Sequence, residues 1–166
     1  MLGDWQAGVT LCQQSLDIHR AIRNPQGEGE ALNYLGYAYA RGGQFDKAIA
    51  MHQQGIRILK AGGYRLSLLE ALVDLAETYL LAGQPTQARQ TAEEALQLAR
   101  ELGAKRYEAL AAWNLGLAYE TLGDCARAAE WMQIRVDYER AIGHPDAEKH
   151  AQHLAQVRAR AEQGDC

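Results

Sequence analysis

Three stretches of this chain superimpose on one another without a gap: NYLGYAYARGGQFDKA at 33–48, VDLAETYLLAGQPTQA at 73–88 and WNLGLAYETLGDCARA at 113–128. The shift is 40 residues each time. Leu35, Leu75 and Leu115 coincide, as do Gly36/Ala76/Gly116, Tyr39/Tyr79/Tyr119, Gly43/Gly83/Gly123 and Ala48/Ala88/Ala128. Carried back one period, the register sets Gly3 on Gly43, Trp5 on Phe45 and Gly8 on Ala48. Gly63, Gly103 and Gly143 keep the same spacing, and Pro25 and Pro145 lie three periods apart. A repeated unit of this size cannot bury its own apolar face, so its copies must stack.

Each unit reads as two helices. Leu32, Leu35, Gly36 and Tyr39 fall at i, i+3, i+4 and i+7, the apolar stripe of an amphipathic helix. Ala48, His52, Gly55, Ile56 and Leu59 form a second stripe after the turn, with Ala88, Ala92, Ala95, Leu96 and Ala99 as its next copy. Gly43, Gly83 and Gly123 suit left-handed helix ends, Pro85 a first helical turn, and Asp4 and Asp124 helix N-caps. No alternating run favours strand. The expected helices are 4–22, then the pairs 27–42/44–62, 64–82/84–102 and 104–122/124–142, and a last helix at 145–161. Small residues at 36, 76, 116, 48, 88 and 128 let paired backbones approach closely.

Composition narrows the function classes. Seventeen Lys and Arg against twenty-one Asp and Glu leave a net charge of −4. An acidic chain without a basic run lacks the phosphate-neutralising residues that nucleic-acid binding needs. No apolar run approaches the roughly 18–20 residues of a membrane span, and the start is not laid out as a signal peptide. The chain is therefore expected to be cytoplasmic, with no membrane and no nucleic acid among its partners. Cys12, Cys125 and Cys166 are odd in number, widely spaced and form no CxxC, so neither a disulfide framework nor a zinc site is expected.

The Leu-Gly-x-x-Tyr motif, followed by Gly and then by Ala five residues on, resembles the tetratricopeptide repeat, in its 40-residue long-helix variety. The resemblance covers nearly the whole chain. It implies an all-α, right-handed α-solenoid of TPR-like helix hairpins: a half repeat at 1–23, repeats at 24–63, 64–103 and 104–143, and a C-terminal capping helix at 144–163. It also implies a non-enzymatic scaffold that binds a peptide or partner helix along a concave groove lined by the first helix of each pair. Arg135 departs from the small residues at Gly55 and Ala95, and is expected to loosen the last pair or to turn towards the terminal helix. The first helix, with Val9, Leu11, Cys12, Leu16 and Ile18, lacks the preceding helix its register calls for. The chain is accordingly expected to be a piece of a larger signalling or regulatory protein, similar to bacterial regulators in which such arrays follow an ATPase or DNA-binding domain. The alternative is self-assembly, a homo-oligomer formed through that uncapped helix.

Once the packing stripe is assigned, the opposite face of each first helix supplies candidate groove residues: Asn33, Tyr34, Tyr37 and Arg41 in the first pair, Asp74 and Glu77 in the second, and Trp113, Asn114 and Leu117 in the third. Tyr37, Trp113 and Leu117 are larger and more apolar than a solvated face requires, as interface anchors are. Asn33 and Asn114 both donate and accept, which suits gripping peptide backbone. Glu30, Glu70, Asp74 and Glu77 make the middle acidic, favouring an apolar-anchored, basic or amphipathic partner. No phosphate loop, GxSxG or HExxH is present, and no cofactor is expected. His150 and His153, one turn apart near His144 and Asp146, read as an exposed incidental pair rather than metal ligands. Cys125, near a helix start, has no partner histidine and is not read as catalytic.

Overall fold

The computed structural model describes residues 4–166, with side chains from Trp5 onward; the Gly3–Gly43 match and the capping side chain of Asp4 lie outside the described residues. The chain forms α1 (Asp4–Ala21), α2 (Pro25–Arg41), α3 (Phe45–Gly62), α4 (Arg65–Leu81), α5 (Pro85–Leu102), α6 (Lys105–Thr121), α7 (Cys125–Ile142) and α8 (Ala147–Gln163). No strand occurs among the described residues, so the protein is all-α, as the periodicity predicts.

The punctuation is local chemistry. Gly43, Gly83 and Gly123 have φ of 71°, 69° and 84°, a region that a Cβ penalises. Gly63, Gly103 and Gly143 repeat it one turn further on, but at the equivalent position of the first turn Arg23 is held at φ 54°. Asn24 caps α2 by accepting from the Gly27 N–H at 3.1 Å, and Asp124 caps α7 by accepting from the Arg127 N–H at 3.0 Å. Pro25 and Pro85 open their helices, where a missing N–H costs nothing. Pro145 does not: a turn in which the Ala147 N–H donates to the His144 carbonyl precedes α8, so that helix starts two residues later than the sequence suggests.

The helices divide into two compact units, Met1–Gly83 and Gln84–Cys166. In the first, Leu16, Ala31, Leu32 and Leu35 form a core flanked by Val9, Cys12, Tyr39, Met51 and Ile58. α2 and α3 approach until a Cβ on Gly55 would lie 2.7 Å from the Gly29 carbonyl oxygen, a contact only glycine allows. In the second unit, Cys125, Ala128, Ala129, Met132, Val136, Leu154 and Val157 form the core, with Trp113, Leu117 and Tyr119 packed against it. The two units repeat one surface pair: Arg20 Nε to Glu28 at 2.9 Å, and Arg100 Nε to Glu108 at 3.0 Å. Exposed pairs of this kind contribute about 0.2–1 kcal/mol each.

The expectation on cysteines is corrected by the fold. Cys125 and Cys166 are joined by a disulfide across 41 residues, with their Cα atoms 5.7 Å apart; Cys12 is the free one. Stacking sets residues one period apart side by side, and 41 is close to the 40-residue period. Sequence motifs such as CxxC detect cysteines that are near along the chain, which these are not. In the chain-entropy model a loop of this length contributes about 4 kcal/mol.

Candidate functional site

In the first unit α2 turns Tyr34 and Tyr37 outward, 50% and 49% exposed. They wall a pocket of about 610 Å³ whose other lining residues are Trp5, Gly8, Cys12, Ala38 and Arg41. The recess exists because Gly8 and Ala38 meet where larger residues would fill it; a Cβ on Gly8 would sit 3.7 Å from that of Ala38. Burial pushes the Cys12 thiol up, keeping it protonated. Arg41 contributes a cation at the pocket wall, and Glu77 is exposed on α4.

Behind this face runs a polar chain. Asn33, 3% exposed, donates from Nδ2 to Asp74 Oδ2 at 2.7 Å, and its Oδ1 lies 2.6 Å from His52 Nδ1. That geometry places the proton of neutral His52 on Nδ1 and leaves Nε2 as an acceptor. The Thr78 hydroxyl lies 3.2 Å from His52 Nε2 and 2.8 Å from the Asp74 carbonyl oxygen. With one proton to donate, it serves neutral His52 only by releasing the carbonyl. Burial lowers His52 to about 4. Burial also raises Asp74 to about 6; the Asn33 hydrogen bond opposes this, and the charges of Glu70 and Glu77 add to it. Asn33 is therefore engaged at both ends of its amide inside the unit, where it holds Asp74 in place.

The second unit treats the corresponding face differently. Trp113 is half-buried, its ring centroid 4.5 Å from His150 and 5.7 Å from His153 of α8. Leu117 packs against the core and Asn114 is 6% exposed. His153 Nε2 lies 2.9 Å from Glu120, which Arg160 also contacts. His150 Nδ1 lies 2.6 Å from the buried Glu139, and Arg135 Nε donates to the same carboxylate at 2.5 Å. Burial pushes Glu139 upward, but the His150 and Arg135 bonds and charges outweigh it, so its carboxyl stays below the usual range. One expectation changes here. His150 and His153 are half-buried hydrogen-bond partners of Glu139 and Glu120 rather than an exposed pair. Arg135 pairs with Glu139 of its own helix. No group of three His, Cys, Asp or Glu side chains among the described residues is placed to hold a metal ion.

Of the residues picked from sequence, the first unit holds Asn33, Tyr34, Tyr37, Arg41, Asp74 and Glu77, and the second Trp113, Asn114 and Leu117. Sequence reading missed His52 and Glu139. The available signal was polarity within an apolar stripe: His52 stands at the position of Ala92 and Met132.

Repeated helix hairpins with a recessed aromatic face define a helical-repeat class. The tetratricopeptide repeat model matches residues 1–61 and 67–133, and the chain belongs to that family. Repeats of this family generally mediate protein–protein interaction and are generally non-enzymatic. No curated protein matches. Among solved structures, the apo form of RapI is similar with a TM-score of 0.82 at 13% identity, over 96% of this chain and 45% of that one. A Signal Transduction ATPase with Numerous Domains from Pyrococcus horikoshii, with a tetratricopeptide repeat sensor, gives 0.81 at 20% identity, over 98% and 26%. BtubC from P. vanneervenii gives 0.70 at 19% identity, over 96% and 75%. The chain thus spans less than half of RapI and about a quarter of the ATPase. At these identities the likeness shows the fold alone. No helix among the described residues is long and apolar enough to cross a membrane.

Proposed function

We propose that this chain is a non-enzymatic interaction module whose binding face is the outward side of α2 with its neighbour α4. The observation that carries the reading is the recess walled by Tyr34 and Tyr37, two aromatic side chains half in water beside an open volume. Such a recess accepts an apolar anchor from a peptide or partner helix. Arg41 flanks the anchor, while the exposed Glu77 favours a basic residue further along an amphipathic partner, with the half-buried Asp74 behind it. Trp113 and Leu117 serve mainly to seat α8, and Asn114 is buried. The test is selection from a random peptide display library. Wild type is expected to enrich sequences with a large apolar residue and Lys or Arg, and Tyr34→Ala/Tyr37→Ala, matched by circular dichroism, to enrich none. Equal enrichment by both proteins would remove the α2 face from consideration.

A second reading has its own observation. Leu11 and Ile18 on α1 and Ile22 in the turn just after it are 65%, 59% and 63% exposed, an apolar strip suited to self-association. Sedimentation equilibrium decides it: a mass that rises with concentration in wild type and stays monomeric in Leu11→Lys/Ile18→Lys supports assembly, and a constant wild-type mass removes it.

A further inference from the structure

The one covalent cross-link in the described chain has two unlike ends. Cys125 is the first residue of α7 and only 2% exposed, whereas Cys166 is exposed. The segment carrying Cys166 is held in place. Gly164 turns left-handed at φ 69°, the Asp165 N–H donates back to the Arg160 carbonyl at 3.0 Å, and the Cys166 carbonyl oxygen lies 3.9 Å from where a Cβ on Gly123 would stand. The α6–α7 turn and the end of α8 are thus preassembled around the bond.

We propose that Cys125–Cys166 is a thiol–disulfide exchange site for a low-molecular-weight thiol, entered at Cys166, which latches α8 onto its unit. An incoming thiolate needs access to the sulfur it attacks, and of the two half-cystines Cys166 is the exposed one. The new bond forms between the thiol sulfur and Cys166. The old bond breaks, and its electron pair leaves on Cys125, where it is protonated or recaptured. That thiolate departs at the N-terminus of α7, where helix N–H groups stabilise negative charge. The nearby Asp124 carboxylate is countered by Arg127 at 3.3 Å. A second thiol attacking the mixed disulfide releases Cys166, so the linked chain gains two electrons and two protons while two thiols become one disulfide. Cys12, half-buried and pushed towards its protonated form, is an internal control.

The structural consequence lies in α8. It buries only Leu154 and Val157 fully; Trp113 packs on His150 and His153, and polar bonds from His150, His153, Arg158 and Arg160 to Glu139, Glu120 and Gln133 add to its hold. A helix with so small an apolar anchor opens readily unless cross-linked.

The test uses the full chain. Protein purified without reductant is treated with excess reduced glutathione, trapped in acid, alkylated and digested with trypsin, which separates residues 161–166 from the Cys125 peptide 107–127 and from Cys12. The expected result is a 107–127/161–166 cross-link before treatment, and afterwards glutathione on Cys166 with Cys125 alkylated. Amide hydrogen exchange at Leu154 and Val157 should rise about tenfold or more on reduction, with α2–α4 unchanged, and Cys125→Ser of native helical content should show the fast rate without reductant. Absence of the cross-link, glutathione on Cys125 instead, or α8 exchange indifferent to reduction would each overturn the proposal.

Discussion

Two first helices built on the same repeat, α2 and α6, end in opposite situations. Both carry an apolar-rich outer face and a glycine that admits the second helix: Gly36 faces His52, and Gly116 faces Met132. On α2, Tyr34 and Tyr37 remain half in water. On α6, Trp113 and Leu117 are packed with α8 and the core below it. The interior differs too, polar at His52 and apolar at Met132. Repeat geometry therefore does not by itself make a binding face: the side chains opposite it decide whether an aromatic is an anchor or a core residue.

The contrast can be broken in several places. The largest effect is expected in the polar interior. His52→Ala leaves Asn33 Oδ1 without its partner and opens a cavity, and should cost roughly 3–5 kcal/mol in chemical denaturation. Trp113→Ala, on a half-buried residue, should cost about 2–3 kcal/mol. Tyr37→Ala should change stability by under about 0.5 kcal/mol while abolishing peptide selection. Similar stability losses for the two aromatics would erase the distinction between the faces.

The pH behaviour sharpens the same point. His52, held near 4 against an ordinary 6.5, contributes stability that is lost as pH falls from 6.5 to 4, because the unfolded chain takes the proton first. Asp74, held near 6 against 3.8, does the reverse: the folded state takes the proton first, so stability rises as pH falls from 6 to 3.8. The two slopes oppose each other across nearly the same window. Asp74→Asn should therefore lose stability on acidification relative to wild type, and His52→Gln should gain it. Parallel curves for all three proteins would show that neither group's protonation is coupled to folding. The one stabilising change is at the first turn, where Arg23→Gly should add roughly 1 kcal/mol, since the three equivalent turns already use glycine.

Much of the fold was legible because helix stripes and turn glycines are short-range signals. Leu35 and Tyr39 mark a face from seven residues of sequence, and Gly43 marks a helix end by itself. The site was legible only in part. Tyr34 and Tyr37 were picked as outward, and the structure turns them outward. Asn33 was picked from the same face, but it leans between helices and is buried. Trp113 looked like an anchor because nothing in residues 104–143 tells how α8 will lie. Glu139 was unreadable as a buried anion, since its partners His150 and Arg135 define it.

The sequence alone determined that this chain is a stack of helix hairpins, because a 40-residue period carrying apolar stripes has no other way to bury them. Tertiary structure decided which aromatic is covered, which carboxylate is buried, and that Cys125 meets Cys166. Those outcomes depend on groups brought together from different helices, and the contact between them is a property of the packed chain rather than of either segment.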